Sequence, residues 1–555
     1  MTAGGASRRL DEAVLGLLLP AFPGSRPPSW LLKRVRAGTA NGVSVFLRAN
    51  AGDIDRLAAL TRSLHEAAPD GLPLLIAADQ EGGQLVGLGH ETTRFPGAMA
   101  LGAAEDPALT EAVGLATARE LRALGVTVCY APVCDLAVTP DNVSLGTRAF
   151  GSDPDAVARQ AAAFTRGLMA GGVVATPKHF PGFGAVSVDP HHALGIIERG
   201  EADLLARELV PFRAALAAGA GMAMSGHVAL PALTGERDLP ATLSRAVMHD
   251  LLRGELGFRG VSITDAMDMR ALAQGPAQVV DGIVALRAGV DLLLMTPDVA
   301  AQRQLEAGLR QAAVRGLLPG GHVLAALRRI ARLRSWLARF EWPDREVVRS
   351  AAHDDLARRA AAAAVTLVRD DAGLLPLRPR AGDRIAVITP VPRDLTPADS
   401  SVTEPLDLAS AISRHHEGVL ALRVASEPDE ADLAAAREAV TVSSLAIVGT
   451  LATAVQPAQA RLVDVLLATG KPVVTVALRT PYDLADYPQA RTHLCTYTIV
   501  PAALEALADA LFGQAVVGGR LPVPIEGLYP RGHGIERAFR PPDPVAPSTR
   551  YRRWP

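Results

Sequence analysis

Cysteine is nearly absent: Cys129, Cys134 and Cys495 are the three in 555 residues. They form no C-x-x-C pair and no metal-ligand spacing, which excludes a disulfide scaffold or a zinc module as the basis of the fold. So few, scattered thiols fit a reducing compartment, and the chain reads as cytoplasmic. An excess of one charge is missing too, since Lys+Arg 56 against Asp+Glu 58 leaves a net charge of −2. No global positive field is available to hold nucleic acid or an acidic lipid surface. Long apolar runs are also lacking. The longest early one, Ala13 to Phe22, is broken by Gly16 and Pro20, well short of the ~20 residues of a membrane span. Arg8 and Arg9 open a signal-like pattern that Asp11 and Glu12 interrupt. Aromatics are scarce at 4%, yet hydrophobic residues reach 49% and charged ones 21%. That balance supplies large cores and excludes a disordered or collagen-like chain.

The length asks for more than one domain. Over the first 340 residues, short apolar runs alternate with long Ala/Leu/Arg helical stretches. The runs are Val14–Leu19, Val43–Leu47, Leu74–Ala78, Val126–Ala131, Val173–Pro177, Met222–Gly226, Gly260–Thr264 and Val290–Met295. Between them, Asp53–Ala68, Ala108–Leu124, Pro154–Ala170 and Ala202–Ala218 carry helical periodicity. Runs without alternation suit parallel strands buried on both faces. Eight βα repeats predict an α/β architecture with an N-terminal (β/α)8 TIM-type barrel over residues 1–340. A helical linker over 341–364 follows, then a second, smaller α/β layered (sandwich) domain over 365–535 with strands at Arg384–Thr389, Ser444–Gly449 and Pro472–Leu478. Residues 536–555 form a Pro/Arg-rich tail, read from Arg540 as an extended strap or a disordered end.

Barrel enzymes place their chemistry at the C-terminal ends of the strands. Those positions here hold a run of polar residues: Asp79-Gln-Glu-Gly-Gly, Tyr130 to Asp135, Gly146-Thr-Arg148, Lys178-His179-Phe-Pro-Gly, Asp189-Pro-His191-His192, Ser225-Gly-His227 and Thr264-Asp265. Each has a plain structural reading as well. Asp265 serves equally as a helix cap, Lys178-His179 as an ion pair with a nearby acid, and Arg148 as a pin for its loop. Asp189 and His191 suit a turn, while nothing in their spacing assigns a role to His192 or His227.

As an ordered set, these motifs resemble glycoside hydrolase family 3, and within it the β-N-acetylglucosaminidase branch. The likeness extends through Pro240-Ala-Thr-Leu-Ser, Leu256-Gly-Phe-Arg-Gly-Val-Ser-Ile-Thr-Asp265 and Ala288-Gly-Val-Asp291. It continues into the second domain at Gly373-Leu-Leu-Pro-Leu, Leu478-Arg-Thr-Pro-Tyr482 and Gly518-Gly-Arg-Leu-Pro. The resemblance implies an exo-acting enzyme with a small carbohydrate as substrate, muropeptide-derived N-acetylglucosamine above all, and no cofactor or metal. It implies Asp265 as nucleophile, His191 as general acid/base oriented by Asp189, and Asp79, Arg148, Lys178 and His179 as the residues that hold the sugar. A retaining glycosidase needs one group to form a covalent glycosyl-enzyme and another to give and then remove a proton. Imidazole titrates near neutrality and can do both of the latter.

The sequence departs from the family pattern at several points. Phe183 replaces the histidine usual in Phe-Pro-Gly-His-Gly, and Pro190 stands inside the Asp-x-His pair where serine is common. Gln84 follows Glu-Gly-Gly in place of arginine, Leu85–Gly89 lacks a further arginine, and Ala266 follows the nucleophile. These losses keep rivals open: a family 3 β-glucosidase, an N-acetylglucosaminide phosphorylase, a non-catalytic sugar-binding paralogue, or a metal-dependent hydrolase built on His179, His191 and His227. Few rings are at hand for stacking on a sugar, with Phe180 and Phe183 the ones nearest the motifs.

Overall fold

The computed structural model describes residues 10–50, 53–89 and 91–538. Arg8, Arg9 and the tail from Arg540 lie outside the described residues. Eight short strands make the barrel of the first domain: β1 (Leu18–Leu19), β2 (Gly42–Ser44), β3 (Leu75–Ala78), β4 (Val128–Cys129), β5 (Val174–Ala175), β6 (Met222–Ser225), β7 (Val261–Thr264) and β8 (Leu293–Leu294). Parallel pairing runs β2-β3-β4-β5, β6-β7 and β1-β8. Backbone hydrogen bonds between flanking residues close the ring: Ser44 to Pro20 at 2.9 Å, Phe180 to Met224 at 2.7 Å, Thr264 to Leu292 at 3.0 Å and Met295 to Leu19 at 3.1 Å. The strands of β3, β6 and β7 are buried along their whole length, which is why their sequences show no alternation. The result is a TIM-type barrel.

The helices begin where local chemistry dictates. Asp53 caps Ile54–Glu66 through Arg56 N at 2.7 Å. Asp106-Pro107 and Asp153-Pro154 each combine a capping carboxylate with proline at the first helical position, where its missing N–H costs nothing. Two sequence expectations are corrected. Val14–Leu17 is a helical turn, so β1 keeps two residues of the expected strand; Arg34 and Asn41 side chains bond the carbonyls of Leu15 and Gly16 and divert them from a ladder. The expected helix at Ala202–Ala218 splits into Glu201–Ala206 and Leu209–Ala217, because Pro211 has no N–H with which to continue the first segment.

The second domain is a six-stranded sheet in the order β9-β14-β13-β12-β10-β11, formed by β9 (Thr366–Asp370), β10 (Ile385–Pro390), β11 (Val419–Val424), β12 (Leu445–Thr450), β13 (Val473–Ala477) and β14 (Thr492–Cys495). All neighbours are parallel except β9 against β14. Helices such as Glu430–Thr441, Ala458–Leu467 and Pro501–Leu511 supply its outer layers. Among the described residues no helix is long and apolar enough to cross a membrane. Buried polar contacts tie the barrel to the linker: Glu120 accepts from His353 Nδ1 at 2.8 Å and Arg349 N at 3.0 Å.

Asp291, from the Ala288-Gly-Val-Asp291 motif, closes the barrel far from the polar strand ends. Its carboxylate accepts from Arg253 at 2.6 Å, from Arg329 at 2.6 Å and from Ser262 N at 3.0 Å. Replacing it leaves two arginines facing each other with no counter-charge. Asp291→Ala should therefore cost about 3–5 kcal/mol of stability. A chemical denaturation curve measures it, and an unchanged midpoint would contradict the assignment.

Candidate active site

The C-terminal strand ends surround one open cavity of about 700 Å³, within the range of small-molecule sites. Asp79, Arg148, Lys178, His179, His191 and Asp265 all line it. Asp189 stands one contact behind, against His191.

Its floor is a buried charge network. Lys178 Nζ lies 2.6 Å from Asp79 Oδ1 and 2.6 Å from Glu81 Oε1. Arg148 closes a two-pronged pair on Glu81, Nε to Oε2 at 2.9 Å and Nη2 to Oε1 at 2.8 Å, and donates Nη1 to the Ser144 carbonyl at 2.9 Å. Burial alone would push the Glu81 carboxyl up, but the two cations outweigh it and hold its pKa down to about 2. Lys178 is likewise fully charged: burial lowers its pKa, and Asp79 and Glu81 more than restore it.

His179 is steered by Asp135. The carboxylate Oδ2 sits 2.7 Å from Nδ1 and also accepts from His179 N at 3.2 Å, while Oδ1 accepts from Phe183 N at 2.8 Å. With Nδ1 committed, Nε2 faces Asp265, 3.9 Å from Oδ2. Asp265 leaves the end of β7 and its Oδ1 accepts from Ala266 N at 2.8 Å. Burial raises its pKa, yet the histidines at 179, 227 and 191 and that N–H carry it below the ordinary carboxylate value. It is ionised at neutral pH.

His191 sits on the loop after β5. Asp189 Oδ1 accepts from His191 N at 2.9 Å and lies 2.7 Å from its Nδ1, so the ring is oriented with Nε2 left for proton transfer. Such a pair is the geometry of an acid/base histidine held by a carboxylate. The Asp189 carboxyl is raised by burial but falls below its usual value through the bonds to His191.

Glu81, Asp135 and Ser400 have no individual reading in the sequence, and His227 is named there without a role. Glu81 and Asp135 were inside quoted motifs, and the signal was that a lysine and a histidine at a barrel's active end need buried counter-charges. His227 lies between Ala266, whose carbonyl it meets at 3.1 Å through Nε2, and Thr242 Oγ1 at 2.9 Å from Nδ1; burial lowers its pKa. Thr242 belongs to the Pro240-Ala-Thr-Leu-Ser motif, which is thereby explained. Ser400 comes from the second domain. Its N and Oγ donate to the Gln84 carbonyl at 2.9 and 3.1 Å, and Oγ accepts from Val86 N at 3.0 Å. Beside it Asp399 accepts from Arg479 at 2.8 Å, and Arg94 pairs with Glu404. The loop so held presents Pro397, Ala398 and Ser400 to the cavity.

The departures now have places. Gln84 Oε1 accepts from Thr147 N at 3.0 Å and so supports the turn that carries Arg148. Gly146, in that turn at φ +48°, lies so close to Gln84 that a Cβ would meet Oε1 at 2.4 Å. Phe183 lines the cavity with its ring 4.6 Å from that of His179. Phe180 does not reach the cavity; it is fully buried and packs edge-on against Phe212.

Two acids, two cations and two carboxylate-held histidines around one sugar-sized cavity at the end of a barrel suit a glycoside hydrolase. Residues 26–333 match the glycosyl hydrolase family 3 N-terminal domain and residues 365–531 its C-terminal domain; the chain belongs to glycosyl hydrolase family 3. Beta-hexosaminidase A of Pseudoalteromonas piscicida is 29% identical over 544 residues, covering 87% of this chain and 89% of its own. A beta-hexosaminidase of Stenotrophomonas maltophilia (strain R551-3) is 39% identical over 293 residues, which are 50% of this chain and 84% of that one. Among solved structures, a glycoside hydrolase family 3 beta-N-acetylglucosaminidase from Paenibacillus sp. str. FPU-7 superposes with a TM-score of 0.86 at 31% identity, covering 93% of this chain and 99% of that one.

Glu81 gives the site's sharpest test. Its pKa of about 2 lies below the ordinary 4.5, so its charge stabilises the fold fully above that value and loses the contribution as pH falls toward 2. Glu81→Gln should flatten the acid limb of stability against pH, and Glu81→Ala should cost about 3–5 kcal/mol. Thermal melts across acid pH decide it; identical slopes for wild type and Glu81→Gln would refute the network's role.

Proposed function

We propose that this enzyme is a retaining, exo-acting β-N-acetylglucosaminidase that removes terminal N-acetylglucosamine from cell-wall-derived (muropeptide) glycosides. The observation that carries the reading is the Asp189–His191 pair sharing a cavity with ionised Asp265. Asp265 attacks the anomeric carbon while protonated His191 gives its proton to the leaving oxygen. Neutral His191 then takes a proton from water as the glycosyl-enzyme is hydrolysed. Asp79, Lys178, Arg148 and His179 hold the sugar hydroxyls, and Asp189 supports the imidazolium. The relatives and the solved neighbour named for N-acetylhexosamine chemistry support the choice of sugar.

Aryl β-N-acetylglucosaminides should be hydrolysed with the β configuration kept in the first-formed sugar, seen by NMR. Asp265→Ala should lower kcat/KM by about 10⁴-fold or more. His191→Ala should lose about 10²–10⁴-fold with poor leaving groups and much less with activated ones. An inverted product, or full activity in Asp265→Ala, sinks the mechanism; turnover that needs phosphate and yields a sugar 1-phosphate replaces hydrolysis by phosphorolysis. Because the pKa of Asp265 is lowered, any acid limb of kcat/KM due to it lies below the ordinary 3.8.

A further inference from the structure

Every cation on the cavity floor is already committed, Lys178 to Asp79 and Glu81, and Arg148 to Glu81. One lining cation stands apart. Arg270 is exposed and, among the described residues, no carboxylate or carbonyl pairs with its guanidinium. Its backbone is fastened to the acid/base loop, since Ala271 N donates to the Pro190 carbonyl at 3.2 Å. The side of the cavity that holds His191 is the side from which the leaving group departs, so Arg270 flanks the aglycone. The other carboxylates that line the cavity have partners of their own: Asp79 is bound to Lys178, Asp399 to Arg479, Asp265 faces His179, and Asp268 accepts from the Thr296 hydroxyl. Leu85, Val86, Pro397 and Ala398 line the same cavity, those from the second domain being fixed through Ser400 and Gln84.

We propose that Arg270 makes the leaving-group side of this cavity a site for an aglycone carrying a carboxylate, with apolar wall along its body. The proposal rests on the glycosidase reading, in which His191 marks the leaving-group side. A guanidinium is always charged and presents a fork matched to a carboxylate. At the rim of an open cavity its worth is that of an exposed ion pair, sensitive to salt. Two sources share this chemistry: a sugar with a lactyl-ether carboxylate and a uronic acid.

The test compares 4-carboxyphenyl with 4-carbamoylphenyl β-glycosides, each made with N-acetylglucosamine and with glucose, in wild type, Arg270→Ala and Arg270→Glu. The quantity read is the carboxylate-to-amide ratio of kcat/KM within one enzyme, in which leaving-group reactivity cancels between variants. That ratio should fall about fivefold in Arg270→Ala and further in Arg270→Glu, and the wild-type preference should shrink as salt rises. Matched disaccharides ending in a lactyl-ether sugar or a uronic acid, each against its amide, show which source the arginine favours. A ratio unchanged in Arg270→Glu on every pair overturns the proposal. Turnover of glucosides alone overturns the choice of N-acetylglucosamine and still yields the Arg270 ratio; turnover of neither sugar overturns both.

Discussion

Glu81 between Arg148 and Lys178 is the contact on which the rest of the site depends. A carboxylate this deeply buried exists only because two cations reach it from different parts of the barrel, one after β4 and one after β5. Each partner solves the other's problem. Without Glu81 the lysine and arginine would repel each other in a low-dielectric floor; without them the carboxylate would take up a proton. The network also leaves Asp79 as the acid that faces the cavity, with Lys178 beside it. Charged groups are thus set in place before any sugar arrives, and that preorganisation is what makes them useful to a transition state.

Much of this was legible in the sequence, for physical reasons. Strands buried on both faces must be short apolar runs, so the barrel could be read from β3, β6 and β7 almost residue by residue. Helical periodicity over Ala108–Leu124 and Pro154–Ala170 lies within a residue of the helices Pro107–Ala123 and Pro154–Ala170. Polar residues at the ends of such strands had few structural excuses, and their order carried the family resemblance. Illegible parts were those set by partners distant in sequence. β9 and β14 pair antiparallel across more than a hundred residues, and β11 is a half-exposed edge whose short apolar run, Val419–Leu422, is not buried as the run would suggest. Asp135 and Thr242 act through histidines 44 and 15 positions away, and no local pattern states that. The same holds for Ser400, which meets Gln84 316 positions back in the chain.

At position 84, where the resemblance leads one to expect arginine, side chain and backbone make separate contacts. Gln84 Oε1 accepts from Thr147 N and supports the Gly146–Arg148 turn, while the backbone carbonyl, which any residue would supply, receives Ser400 of the second domain. The neighbouring wall of the cavity is made by Leu85, Val86, Pro397 and Ala398. Phe183 adds an apolar ring to the wall against His179 and spares the floor.

The cavity therefore divides by mechanical character as well as by chemistry. Asp265 issues directly from β7 and is held among His179, His227 and a backbone N–H, so the nucleophile we propose inherits the rigidity of the barrel. His191 is carried on a loop, half-buried, and held by a residue two positions away and by little else. A covalent intermediate demands accuracy at the anomeric carbon, whereas the proton donor must serve one oxygen in the first step and a water in the second. In the mechanism we propose, Asp265 at a strand end and His191 on a loop meet those unequal demands. Placing Arg270 next to that same loop couples whatever fills the leaving-group side to the group that expels it.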